Sequence, residues 1–172
     1  MRYLVYLDGG VYRISDSGIS LIKQFEGCRL EAYRCSAGRW TIGYGHTDGV
    51  KKGMKITQQQ AELIFQNDIV LFSKSVSNVI GSVNLNQNQF DALISFAYNC
   101  GIGNLKKSTL LIRIKENPND ERIGYEFLRW TYSNGRYLAG LARRRKAEAE
   151  LYFLPVEEEG MVLKTENNLE NE

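Results

Sequence analysis

FEGCRLEAYRCSAGRWTIGYGHT, residues 25–47, carries the chain's single histidine (His46), two of its three cysteines (Cys28 and Cys35) and a glutamate, Glu26, directly before a glycine. The residues leading into it read as a helix. From Asp16 onward Ile19, Ile22 and Phe25 recur at helical spacing, Leu21 lies four before Phe25, and Gly27 is a stop. Between 31 and 50 the pattern changes. The turn-like SAGR precedes WTIGYG, whose alternation predicts a small β-sheet. Glu26 therefore falls in the last turn of a helix that runs into a sheet.

That position has chemical consequences. The negative end of a helix dipole disfavours a carboxylate, and Phe25 and Trp40 are candidates for apolar neighbours. Both effects raise a glutamate toward the range useful for a general acid. The competing reading is a solvated residue at a helix end. In the strand, Trp40, Ile42, Tyr44 and His46 are expected on one face, with Thr41, Gly43, Gly45 and Thr47 on the other. Two glycines beside Thr41 leave an open groove with a hydroxyl at its floor, suited to a flat polymer such as a glycan; a bulge or close backbone packing accounts for the glycines equally well.

With 172 residues, 43% of them hydrophobic, the chain suffices for one domain with a real core. The net charge of +2 is unevenly spread: after Pro155, six glutamates and one lysine carry −5, which leaves the preceding residues at +7. A basic body favours a polyanionic partner such as nucleic acid, an anionic membrane or a wall polymer, and the acidic tail reads as disordered. Three cysteines without zinc-type spacing point to synthesis in a reducing compartment. The N-terminal MRYLVYLDGGVYR is too short an apolar run, broken by Asp8, for a secretory or membrane-spanning segment.

Further along, Thr57 and Gln60 form a capping box, and Ala61, Ile64, Phe65, Ile69 and Phe72 make one helical stripe. Helices are expected at about 86–100, 108–116, 119–132 and 140–153, punctuated by Gly101, Gly103, Gly135 and Gly140. The fold class is α+β: a small β-containing lobe joined through a long helix to a helical lobe, with a cleft between them. His46 has no partner at ligand spacing, so a hydrogen-bonded structural role is expected and no metal. Arg143, Arg144, Arg145 and Lys146 spread around a helix circumference and read as a partly solvated face.

Cys35 follows Glu26 by nine positions and Thr41 follows Cys35 by six. This spacing resembles the Glu-x8-(Asp or Cys)-x5-Thr signature of the phage-type lysozymes, the muramidase endolysins. EGCRLEAY, TIGYGHT, GMKITQQQAE, NQFDALISFAYNCGIG, STLL and GLARRRKAEAELY resemble that family in the same order, over residues 14–153. The resemblance implies an arm (1–13), a lysozyme-like catalytic domain (14–155) and an acidic tail (156–172). It implies cleavage of the β-1,4 bond between N-acetylmuramic acid and N-acetylglucosamine of peptidoglycan, without a cofactor. Glu26 would protonate the leaving oxygen and Thr41 would help hold the attacking water. Tyr98, in FAYNCG, and Thr109, in KKSTLL, fall near positions that line the sugar cleft in relatives. The expected setting is a monomer made in the host cytoplasm, released through a holin-like pore, with neither stable membrane insertion nor a nucleic-acid partner.

Cys35 stands where well-studied members of the family carry Asp. An ordinary thiol is only about 3% thiolate at pH 7. Arg34 and Arg39 would raise that fraction if they pointed inward. Cys35 is expected to assist water opposite Glu26. Three alternatives stay open: the thiolate attacks the sugar carbon directly; Cys35 is a spectator in a lytic transglycosylase using the muramic 6-hydroxyl; or the chain is a catalytically weak peptidoglycan-binding module. A disulfide from Cys35 to Cys28 or Cys100 also stays open.

Overall fold

The computed structural model describes residues 5–7 and 10–156, with side chains from Arg13 onward. The expected disordered tail lies outside these residues from position 157. The arm forms a hairpin, β1 (Val5–Leu7) and β2 (Gly10–Tyr12), pairing Val5 with Tyr12 and Leu7 with Gly10. Next come α1 (Asp16–Glu26), a second hairpin of β3 (Arg29–Arg34) and β4 (Trp40–Gly43), and the long α2 (Gln58–Ile80). The rest is helical apart from one short hairpin: α3 (Gln87–Cys100), α4 (Ile102–Lys107), α5 (Thr109–Glu116), α6 (Ile123–Leu128), β5 (Tyr132–Ser133), β6 (Arg136–Tyr137) and α7 (Ala139–Phe153). The architecture is α+β, as expected.

The core is organised on α3. Asn86 and Gln89 close a capping box at its start, and Phe90, Ala92, Leu93, Ile94, Phe96 and Ala97 are all inaccessible to solvent. A helix apolar around most of its circumference must be enclosed, and α1, α2, α4 and α7 pack around this one. Helix α2 starts with the expected Thr57–Gln60 box and buries Ala61, Phe65 and Ile69. Ser15 caps α1, accepting from the Gly18 amide at 3.2 Å. Its own amide and hydroxyl both donate to the buried Asp91 of α3, the amide at 3.0 Å, so the start of α1 is bolted to the core.

Several local expectations are corrected. The strand does not run on to His46: it ends at Gly43, whose φ of 60° turns the chain, and His46 folds back to pair with Ile42. Thr41 and Ile42 are both buried. The helix expected over 119–132 shrinks to α6. Before it, Asp120 and Arg122 form a turn; after it, the chain leaves for the β5–β6 hairpin, signalled by Asn134-Gly135. Helix α4, which follows Gly101 and contains Gly103, was not expected. The basic run on α7, by contrast, is partly solvated as expected: Arg143 and Lys146 are exposed, whereas Arg144 and Arg145 are 3% and 0% accessible.

The α1–α3 contact depends on a missing side chain. A Cβ on Gly18 would stand 2.7 Å from Ile14 Cγ1 and 2.8 Å from Asp91 Cγ. Gly18→Ala is expected to cost about 1–3 kcal/mol of stability through overpacking. Chemical unfolding would show it as a lower midpoint at unchanged slope; an unaltered midpoint would refute the account.

Candidate active site

Glu26 closes α1, and Gly27 (φ 62°) ends the helix behind it, returning its amide to the Lys23 carbonyl. The carboxylate projects into a cleft of about 820 Å³, which Cys35, Thr41, His46, Asp68, Tyr98 and Trp130 also line. The apolar shelter expected from Phe25 and Trp40 is not what faces it. Trp40 lies under the Arg34 guanidinium, 5.0 Å away, and Phe25 carries the Arg144 guanidinium at 5.7 Å. The direct partner of Glu26 is Arg144, whose Nη1 donates to Oε1 at 2.5 Å. Oε2 lies against Gly45, where a Cβ would come within 2.6 Å of it. Gly45 also has a φ of 81°, so both space and backbone favour glycine there.

Arg144 is itself held from behind. Its Nε donates to Glu148 Oε1 at 3.2 Å and its Nη2 to the Ser95 carbonyl at 3.2 Å. Glu148 is fully buried and also accepts from the Ser95 hydroxyl (2.7 Å) and Arg145 Nη2 (3.1 Å). Arg145 Nε lies 2.8 Å from Glu148 Oε2, an ion-pair distance although this N–H does not point at the oxygen. Burial pushes the Glu148 carboxyl up, and the two guanidiniums pull against it. Arg145 continues to Asn99 Oδ1 (2.9 Å) and Cys100 Sγ (2.6 Å). Two cations and two carboxylates thus form one nearly dry chain ending at Glu26.

The other wall is the β3–β4 hairpin. The Cys35 carbonyl accepts from the Gly38 amide at 2.8 Å and its amide donates to the Arg39 carbonyl at 2.9 Å, fixing a tight turn. Burial pushes the Cys35 thiol up, but hydrogen bonds from the Thr41 hydroxyl and from the amides of Arg39, Ala37 and Cys35 outweigh it and bring the thiol below its usual value. The Thr41 hydroxyl also lies 3.2 Å from the Arg39 carbonyl. It has one proton, so it serves the carbonyl when the sulfur is neutral and the sulfur when charged. Burial raises the Tyr33 phenol, and the charges of both Glu26 and Cys35 raise it further. Tyr33 therefore stands within the field of both walls.

The remaining expected residues divide. Tyr98 is in the cleft, its hydroxyl donating to the Tyr44 carbonyl at 2.5 Å while burial drives its phenol upward. His46 Nδ1 pairs with Asp68 Oδ2 at 2.8 Å, and burial raises Asp68 against that pairing. Thr109 does not line the cleft. Its hydroxyl donates to Glu126 at 2.8 Å, in a cluster with Arg113 and Arg129. All three cysteines are free.

The phage lysozyme family profile matches residues 23–148. The chain belongs to the phage lysozyme family. It is 43% identical to the endolysin of Acyrthosiphon pisum secondary endosymbiont phage 1 over 81% of this chain and 97% of that one. It is 42% identical to the endolysin of Bacillus phage B103, of whose length it spans about half (54%). Among solved structures it superposes on the muramidase domain of SpmX from Asticaccaulis excentricus with a TM-score of 0.75 and 38% identity, covering 84% and 99% of the two chains. It also superposes on the endolysin from Escherichia coli O157:H7 phage FAHEc1, with a TM-score of 0.71, 40% identity and coverage of 82% and 93%. As a phage lysozyme it is a glycoside hydrolase.

Sequence reasoning missed Arg144 and Glu148 as site residues. Their signal was present: four apart on one helix, they share a face. Removing one member of such a buried ion set leaves charge uncompensated. Glu148→Gln in this lysozyme is expected to cost about 3–5 kcal/mol, read by urea unfolding; a loss below about 1 kcal/mol would show that the set is not a unit. The Cys35 environment gives a second expectation. In alkylation mapped cysteine by cysteine, the Cys35 midpoint lies below that of a free thiol and Thr41→Val moves it up, whereas Cys100, which burial raises, reacts only at higher pH. A Cys35 midpoint at or above the free-thiol value would contradict the hydrogen-bonded account.

Proposed function

We propose that the chain hydrolyses the β-1,4 bond between N-acetylmuramic acid and N-acetylglucosamine in peptidoglycan, with Glu26 as the general acid. The observation that carries this reading is the asymmetry of the two Glu26 oxygens. Arg144 holds Oε1, and Oε2 is kept unobstructed by Gly45 at the cleft surface. A proton on Oε2 is the one available to a leaving glycosidic oxygen. Positive charge then develops on the sugar ring and calls for an anion on the opposite side.

Cys35 supplies that anion. Burial raises its thiol, but the hairpin amides and Thr41 outweigh burial and bring it below its ordinary value, which favours the thiolate that directs a water at the sugar carbon. Thr41 follows the charge: its proton turns to the sulfur when the thiolate forms. Tyr98 braces the cleft beneath the sugar through its bond to the Tyr44 carbonyl. Thr109 is left to the Glu126 cluster and given no part in sugar binding.

Purified peptidoglycan with mass analysis of the released glycans tests the proposal. Reducing muramic ends are expected, and Glu26→Gln should lower the rate by at least about 100-fold, the usual contribution of a positioned acid. Cys35→Asp should retain more activity than Cys35→Ser. Products ending in 1,6-anhydromuramic acid, or an undiminished Glu26→Gln, would overturn hydrolysis as drawn.

A further inference from the structure

Two of the most exposed aromatic side chains stand together at the cleft rim. Tyr132 and Tyr137 are 64% and 58% accessible, with ring centroids 5.8 Å apart and an interplanar angle of 71°. Large rings left in water side by side are the informative exception to burial, and such patches mark binding surfaces. Tyr132, with Ser133 and Leu138 of the same hairpin, lines the cleft that holds Glu26. The patch is therefore continuous with the active-site groove.

The hairpin is built to hold this pair still. Asn134 (φ 49°) and Gly135 (φ 73°) both take left-handed conformations, as a two-residue type I′ turn requires. Ser133 pairs with Arg136, and the Leu138 amide donates to the Thr131 carbonyl at 2.9 Å. The Tyr132–Tyr137 pair lies between these two, at the position where cross-strand side chains come closest. Both ends are anchored: Trp130 packs edge-on against the core Phe96 at 5.4 Å, and α7 begins at Ala139. A ring presented from a fixed frame loses little freedom on binding.

We propose that Tyr132 and Tyr137 form an aromatic platform that extends the cleft and takes the C–H face of a further sugar ring of the glycan strand, beyond the pair being cleaved. This rests on the hydrolase reading above. A pyranose presents axial C–H bonds on one face, a weakly positive surface that complements the negative face of a phenol ring. Tyr132 offers the contact and Tyr137 sets its tilt. The result is a preference for long strands over short ones.

The test compares unbranched glycan oligomers, freed of stem peptides by amidase, of four and of eight sugars. For the intact chain, the ratio of kcat/KM on the octamer to that on the tetramer is expected to fall about tenfold in Tyr132→Ser and in Tyr137→Ser, through KM rather than kcat, and to persist in Tyr132→Phe, which keeps the ring. An unchanged ratio in either serine variant, with circular dichroism showing both folded, overturns the platform. So does a light-scattering mass showing that the tyrosines instead pair two copies of the chain. If the unaltered chain cleaves neither oligomer, the hydrolase reading fails by itself. The platform is then judged by sedimentation with amidase-treated wall: loss of binding in the serine variants supports it, and retained binding rejects it.

Discussion

A guanidinium shared between two carboxylates governs this molecule. Arg144 reaches Glu26 at the cleft surface with one nitrogen and the wholly buried Glu148 with another, while its third bonds the Ser95 carbonyl. A buried cation is tolerable only when its charge and its donors are met, and here the partners come from three helices. The C-terminus of α1, the middle of α3 and the middle of α7 are thereby fixed to one another. The Glu26 carboxylate is thus part of the same ionic framework as the core, and its orientation is inherited from the packing of the helical lobe.

The two walls of the cleft are built on different principles. Glu26 stands on a helix end backed by Arg144, Glu148 and Arg145, with the rings of Phe65 and Phe72 packed on Tyr98 alongside. Cys35 stands on a tight hairpin turn, where burial raises its thiol and the Thr41 hydroxyl and the turn's amides together lower it. The first arrangement fixes the orientation of a carboxylate. The second gathers small dipoles around a thiol. On the proposed reading, the acid needs rigidity and the anion needs donors, and each wall supplies what its group requires.

How far the sequence disclosed this depends on the range of the interactions involved. The capping box at Thr57 and the apolar stripe of α2 are local, and that helix formed where they predicted it. The spacing of Glu26, Cys35 and Thr41 led to three residues that do line one cleft. What stayed hidden is long-range. Nothing near Arg144 in the chain says that it meets a carboxylate 118 positions away, and four consecutive cations look solvated until two of them are known to be enclosed. Thr109 has a partner that its neighbourhood in sequence does not announce: Glu126, seventeen residues on, takes its hydroxyl. The Asn134-Gly135 hairpin was legible and was passed over, because the apolar residues before it continued a helical rhythm that Trp130 and Thr131 do not follow.

The thiol at position 35 gains its meaning from the turn that carries it. A carboxylate in the same place would be ionised at neutral pH with no assistance, so the converging amides would merely orient it. A thiol starts on the other side of neutrality, and burial drives it further away. Here every donor counts toward lowering the thiol, and Thr41, the only one of them on a side chain, is the one that substitution can remove. Exchanging oxygen for sulfur therefore changes the duty of a neighbour. On the proposed reading, Thr41, which beside an aspartate would have only a water to hold, beside Cys35 also helps to make the anion.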